Sequence, residues 1–157
     1  MKKVIYSLLV IVGIVFLAGC GKNIDFNKTD RLVCKKTEDN TSSITTTTMT
    51  LAYDKNEIIT YFKAEGDTTY KTAMSKEALE LTAKTMRLLA KPLGAGFTSE
   101  ISENRFYFSF TGNIKALKAL MKHIDKNYNE SKVTGDTKSE ALTELTQEGY
   151  SCQDIKK

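Results

Sequence analysis

The sequence predicts an α+β fold, an antiparallel β-sheet of about five strands in a ββββ-type meander interrupted by a helix, with two to three α-helices packed on it. Three patterns point there. Phe106, Phe108 and Phe110 alternate with Arg105, Tyr107, Ser109 and Thr111, the two-residue period of a strand with one buried face. Met49, Leu51 and Tyr53 repeat at the same period at the end of a threonine-rich run. Leu79, Ala83, Met86 and Leu89 recur at the three-and-four spacing of a helical stripe.

Taken in order, Arg31 to Thr37 starts the sheet and Glu38 to Ser42 is a turn cluster. Ile44 to Tyr53 is the second strand, because β-branched Thr45 to Thr48 suit a half-solvated pleated surface. Asp54-Lys55-Asn56 reverses the chain. Glu57 to Glu65 follows as a strand, with Ile58, Thr60, Phe62 and Ala64 on one face and Ile59, Tyr61 and Lys63 on the other. Gly66-Asp67 interrupts that pattern, although pairing can persist a few residues past it. Ser75 is suited to cap the first helix, with Glu77 in the turn where the helix dipole favours an acid. That helix should stop before Pro92, leaving Gly94 and Gly96 in the exit loop. Phe97 to Ile101 and Arg105 to Thr111 form a hairpin about Glu103-Asn104, and the phenylalanine face lies at the centre of the core. Asn113 opens a second helix with Ile114, Leu117, Met121, Ile124 and Tyr128 on its apolar side, and Asn129 to Asp136 is a polar loop. Asp136 or Thr137 caps a shorter helix with Ala141, Leu142 and Leu145, and Gly149 is placed to end it in the left-handed conformation. Tyr150 and Cys152 then return the chain towards the first strand.

The N-terminus reads as an export signal. Lys2 and Lys3 precede an uncharged apolar run from Val4 to Ala18, and Leu17-Ala18-Gly19-Cys20 places a cysteine directly after small residues. This resembles the bacterial lipobox, which implies cleavage before Cys20 and a diacylglyceryl thioether on its sulfur, with palmitate among the acyl chains. Two or more acyl chains anchor stably, so the resemblance implies a lipid-anchored protein on the extracytoplasmic face of the cell membrane. The alternative is an uncleaved transmembrane anchor, for which a run of about 15 residues is short against the roughly 20 that span a bilayer. The expected organisation is a signal peptide over residues 1–19, the lipidated cysteine and a tether over 20–30, and one extracytoplasmic domain over 31–157.

Loss of residues 1–19 removes Lys2 and Lys3 and leaves 21 Lys and Arg against 19 Asp and Glu, a net charge of +2. That near balance gives no case for nucleic acid, which wants a clustered basic footprint. The remaining 138 residues are enough for one domain with its own core. There is no Trp, which lowers the case for a sugar-stacking site.

With Cys20 assigned to lipid, Cys34 and Cys152 remain, near opposite ends of the domain and in an exported compartment. A disulfide between them is favoured over two free thiols. So long a loop gives roughly 5 kcal/mol by chain-entropy arithmetic, less any strain. Neither cysteine sits in a CxxC pair, which argues against redox chemistry.

No catalytic constellation appears. His123 is the only histidine and lies at the edge of the second helix's apolar stripe, an interfacial position; no local motif gives it a nucleophile or an orienting acid. One His and two distant Cys do not make a zinc signature. Met49, Met74, Met86 and Met121 could be read as a soft-metal site, but Met86 and Met121 sit on helical stripes, where core filling is far more common. No glycine-rich phosphate loop follows a strand, so no metal or cofactor is implied. Lys115, Lys118, Lys122 and Lys126 share one face of the second helix. That face is either solvated or a contact for anionic lipid or another anionic envelope polymer.

Three segments together, Leu32 to Asp39 (Leu-Val-Cys-Lys-Lys-Thr-Glu-Asp), Tyr53 to Ile58 (Tyr-Asp-Lys-Asn-Glu-Ile) and Glu148 to Cys152 (Glu-Gly-Tyr-Ser-Cys), make the chain similar to small YehR-like bacterial lipoproteins. The resemblance implies a compact α+β domain and no catalytic residues. The functional expectation is a non-enzymatic binding or interaction module at the cell envelope, with an envelope protein or polymer as partner. The runner-up is a small-ligand carrier or sensor with a pocket between sheet and helices; an envelope hydrolase comes third. A Cys34–Cys152 bridge should make the protein migrate faster on non-reducing than on reducing electrophoresis. Equal mobility with two titratable thiols would refute it.

Overall fold

The computed structural model describes residues 24–90, 95–114 and 137–157, with the side chain of Leu89 outside that description. Six strands form one antiparallel sheet: β1 (Arg31–Asp39), β2 (Ser43–Tyr53), β3 (Ile59–Tyr70), β4 (Gly96–Ile101), β5 (Arg105–Asn113) and β6 (Ser151–Ile155). Two described helices, α1 (Lys76–Ala90) and α2 (Lys138–Gln147), pack on one of its faces. The strand order is β4-β5-β3-β2-β1-β6. The α+β class and the antiparallel sheet stand as expected, but the strands number six rather than about five. The sixth is β6, whose short, polar run carries little period-two signal.

β1, β2 and β3 form the expected meander, with Leu32 opposite Leu51 and Leu51 opposite Phe62. β3 runs on past Gly66 to Tyr70, and β5 lies along its other side, with Phe110 opposite Ala64 and Phe108 opposite Gly66. Among the described residues β4 pairs only with β5 and forms one edge of the sheet; β6 pairs only with β1 and forms the other.

Directly opposed residues share a face, and one face carries the core. Leu32, Cys34, Met49, Leu51, Phe62, Ala64 and Phe110 are buried there, with Ala141 of α2 against them. Phe110 is the most enclosed of the three phenylalanines of β5, with no exposed surface, and it stacks on Phe62 with ring centroids 6.2 Å apart. Phe106 and Phe108 form a second cluster under Leu79 and Ala83 of α1.

Gly66 has a steric task. A Cβ there would lie 2.3 Å from the Phe108 ring, so the strand carries a glycine where the aromatic crosses it. This accounts for pairing through a residue whose type ordinarily weakens strands.

The β2–β3 turn departs from expectation. Ile58 is 42% exposed and lies outside the strand, while Ile59 is only 4% exposed. The cause is a register shift between Ala52 and Tyr53, combined with Glu57 at φ 60. Asp54 organises the turn: its Oδ1 accepts from the N–H groups of Asn56 and Ile58 at 2.9 and 3.0 Å.

The helix ends follow local chemistry. In α1 the Ser75 hydroxyl accepts from the Ala78 N–H at 3.4 Å, and in α2 Thr137 and Glu140 form a reciprocal capping box. Gly149 sits at φ +89 after α2. Leu142, expected on the apolar side of α2, is exposed, and Gly96, expected in the loop after α1, begins β4. Within the segment expected as a tether, Phe26–Lys28 form a 3-10 turn whose Phe26 carbonyl accepts from Arg31 at 2.8 Å.

Replacing Gly66 by alanine should destabilise the domain by about 1–3 kcal/mol, the range for overpacking a filled site. The pair Gly66→Ala/Phe108→Leu should recover part of that loss in urea denaturation. A Gly66→Ala midpoint equal to wild type would show that the ring does not constrain the strand.

Candidate functional site

The expected site residues divide sharply. Cys34 and Cys152 lie opposite one another on β1 and β6 and are joined by a disulfide. Cys20, His123, Lys115, Lys118, Lys122 and Lys126 lie outside the described residues, as do Leu117, Met121, Ile124, Tyr128 and the 129–136 loop. Met49 is buried in the core and Met86 packs beside the second cluster, while Met74 is exposed. Among the described residues no three His, Cys, Asp or Glu side chains gather as a metal site requires, and no described helix is long and apolar enough to cross a membrane.

Local periodicity did not announce two polar constellations on the sheet. The first joins the β2–β3 turn, α2 and β6. The Tyr53 hydroxyl donates to Asp154 Oδ1, and Lys138 Nζ donates to Asp154 Oδ2 at 3.1 Å and to Glu57. Lys138 and Lys156 lie 5.2 and 4.8 Å from the Tyr53 ring centre. Burial, then the bond to Asp154, raises the Tyr53 phenol above its ordinary value. The Tyr53 hydroxyl, then Lys138, holds the Asp154 carboxyl below the usual range. The bonds to Glu57 and Asp154 raise Lys138, and contact with Tyr53 raises Lys156. Every one of these shifts moves its group away from neutral pH. A general acid or base works best when poised near the operating pH, so this network is a clamp on the C-terminal unit.

The second constellation lies on the face that neither described helix covers. Arg105 grips Asp67 with two hydrogen bonds of 2.7 and 2.8 Å, and the Tyr107 hydroxyl donates to Glu65 at 2.6 Å. Lys63 pairs with the same Glu65 at 2.8 Å. Burial, then the Glu65 bond, pushes the Tyr107 phenol up to about 12. These are cross-strand diagonal pairs that satisfy one another across β3 and β5.

The third feature is concave. A groove of about 480 Å³ runs between α1 and β4, open to solvent, lined by Glu80, Ala83, Lys84, Arg87, Ser99 and Ile101. Ala83 supplies its floor because the Leu79–Ala83 stripe of α1 rests on Phe106 and Phe108. Residues three and four apart are neighbours on a helix, so Glu80, Lys84 and Arg87 form one row along its outer wall. Glu80 is met by Lys76 at 3.8 Å, whereas Lys84 and Arg87 have no ion-pair or hydrogen-bond partner among the described side chains. The volume falls within the range of binding sites, about 300–1,000 Å³. The lining offers two cations, the Glu80 carboxylate, a hydroxyl and an aliphatic floor.

Sequence reading missed this groove, because its two walls come from elements that local patterns do not place side by side. The one signal on offer was the Glu80-Lys84-Arg87 row at helical spacing. No protein-family model, curated protein or solved structure matches the chain.

Asp154 sets a pH dependence with a definite sign. Its folded value is depressed, so the native state binds fewer protons and the clamp contributes in full above the unfolded value of roughly 3.9. That contribution is lost as pH falls through the lower native value. In urea denaturation from pH 7 to pH 2, Asp154→Asn should be less stable than wild type at neutral pH, and the gap should close below about pH 4. A gap that persists unchanged to pH 2 would rule out the ionised clamp.

Proposed function

We propose that this chain is a membrane-anchored extracytoplasmic lipoprotein that acts without catalysis, as a binding module at the cell envelope. Its N-terminal signal and Cys20 hold the domain on the outer side of the membrane, in the manner of the YehR-like lipoproteins it resembles. The observation that carries the binding reading is the α1–β4 groove, where Lys84 and Arg87, without a partner among the described residues, stand beside the edge of the sheet. Most other described cations are paired: Lys36 with Glu38, Lys71 with Asp39 and Arg105 with Asp67, among others. Two charges left free over an aliphatic floor suit an anionic partner.

The cross-strand disulfide fits an exported protein, since such bonds persist in oxidising compartments. The charge state of the Tyr53–Asp154–Lys138 network supports a non-catalytic reading, because no member of it is tuned towards neutral pH.

The small-ligand reading draws support from the groove's volume. Against it, the groove is open along its length, and the described layer under α2 is filled by Leu32, Phe62, Phe110 and their neighbours. Pockets that hold small molecules usually bury most of the ligand surface, which an open trough with a charged rim does not.

The test is made in cells with the tagged full chain. Wild type should partition with membranes, and Cys20→Ala should be released or left unprocessed. A photo-crosslinking residue at Glu80, which lines the groove without contributing a cation, should capture an envelope component that the same residue at Lys55, on the distant β2–β3 turn, does not. Cys20→Ala that stays cleaved and membrane-bound would overturn the anchor. Equal capture at the two positions, or none at either, would overturn the binding surface.

A further inference from the structure

Two edges bound the sheet, and they are protected differently. On β6 the helix-side position Asp154 is an inward-pointing charge locked by Tyr53 and Lys138. Charges on an edge strand discourage another chain from pairing there. On β4 the residues of the helix-covered face are Phe97, Ser99 and Ile101, all uncharged, and the strand contains neither Pro nor Lys.

The hydrogen-bond register of β4 can be worked out from its turn. The Ser102 N–H donates to the Arg105 carbonyl at 2.9 Å, and the Arg105 N–H donates back at 3.4 Å. Bonded and non-bonded pairs alternate in an antiparallel ladder. Glu100–Tyr107 and Thr98–Ser109 are therefore bonded pairs, and Phe97, Ser99 and Ile101 turn their N–H and C=O groups outward to the free edge. Ser99 and Ile101 are also the two β4 residues that line the groove. A strand added at this edge would bond through its backbone to Phe97, Ser99 and Ile101. Since directly opposed residues share a face, its side chains opposite Ser99 and Ile101 would enter the groove under Lys84 and Arg87.

We propose that β4 receives a seventh strand, an extended acidic segment of a partner protein whose carboxylates, two residues apart, meet Lys84 and Arg87 in the groove. This rests on the binding-module reading above and gives it a partner class and a register. Main-chain hydrogen bonds supply affinity in strand addition and alternate side-chain pockets supply specificity. The β4 strand of a second copy does not supply the charge: its single carboxylate, Glu100, lies on the opposite face, so β4-to-β4 pairing would place no strand acid in the groove.

The experiment uses the full chain in detergent micelles and a labelled peptide, acetyl-Thr-Glu-Val-Glu-Val-Glu-Thr-amide, with a Lys-for-Glu peptide as control. The acidic peptide should bind and the lysine peptide should not. The double variant Lys84→Glu/Arg87→Glu, whose exposed side chains leave the core intact, should bind at least tenfold more weakly, while Lys55→Glu should bind as wild type. Hydrogen exchange read by NMR should slow at least tenfold at the amides of Phe97, Ser99 and Ile101 on peptide addition, and stay unchanged at Thr98 and Glu100. Peptide binding without that protection, binding that survives the double reversal, or no binding of the acidic peptide would overturn the proposal. Protection of the same amides without peptide, together with a doubled mass, would also overturn it, in favour of a second copy. Failure here with Glu80 crosslinking retained in cells removes strand addition alone; failure of both removes the binding module.

Discussion

Phe110 is opposite Ala64 on β3, stacked on Phe62 and edge-on to Phe97, and this contact seats β5 in the interior of the sheet. Much else follows from that seating. Because β5 occupies the free side of β3, its hairpin partner β4 is displaced outward and becomes an edge. Because Phe106 and Phe108 continue the same face, α1 must lie over them to keep water out, which brings its charged row alongside β4. Gly66 is the concession that allows it, since a side chain at that point would collide with the Phe108 ring. The groove is thus a by-product of how a strand with three phenylalanines is buried.

The opposite edge is closed with different chemistry. β6 is short and polar, and apolar burial gives it little hold. It is kept in place by the disulfide to β1, by the Tyr53 and Lys138 bonds to Asp154, and by Asp30, which accepts from the Lys157 N–H at 2.8 Å. Linking residues 118 positions apart restricts the unfolded chain. The polar clamp fixes orientation in the native state. Together they let a five-residue strand serve as a stable border. β4 has neither device on its outer side, and that asymmetry distinguishes an edge that is sealed from one that is open.

Antiparallel sheets commonly bury one face and hydrate the other. Here the hydrated face is knitted by diagonal pairs, Arg105 to Asp67 and Tyr107 to Glu65, so these four groups satisfy one another. Arg105, Lys63 and Lys71 are cations already spoken for, and exposed pairs of this kind contribute modestly, about 0–1 kcal/mol. Lys84 and Arg87, like Lys35 and Lys55, have no such partner among the described residues, and they differ in standing side by side on the lining of a groove.

Much of the fold was legible in the residues themselves. Alternation determined which side chains of β2 and β5 share a face, Asp136 or Thr137 marked the start of α2, and Gly149 marked its end, because each rests on contacts within a few residues. Cys34 and Cys152, the two cysteines left once Cys20 was read as a lipid site, suggested their own pairing. Tertiary structure alone decided that β5 rather than β4 lies beside β3, that the shift after Ala52 turns Ile59 inward and leaves Ile58 out, and that the row from Glu80 to Arg87 faces a strand edge. A strand's period determines which way its side chains point but not which strand lies beside it, since neighbour choice depends on how whole faces fill space. For that reason the buried face could be read along the chain, while the groove, made where two distant segments meet, could not.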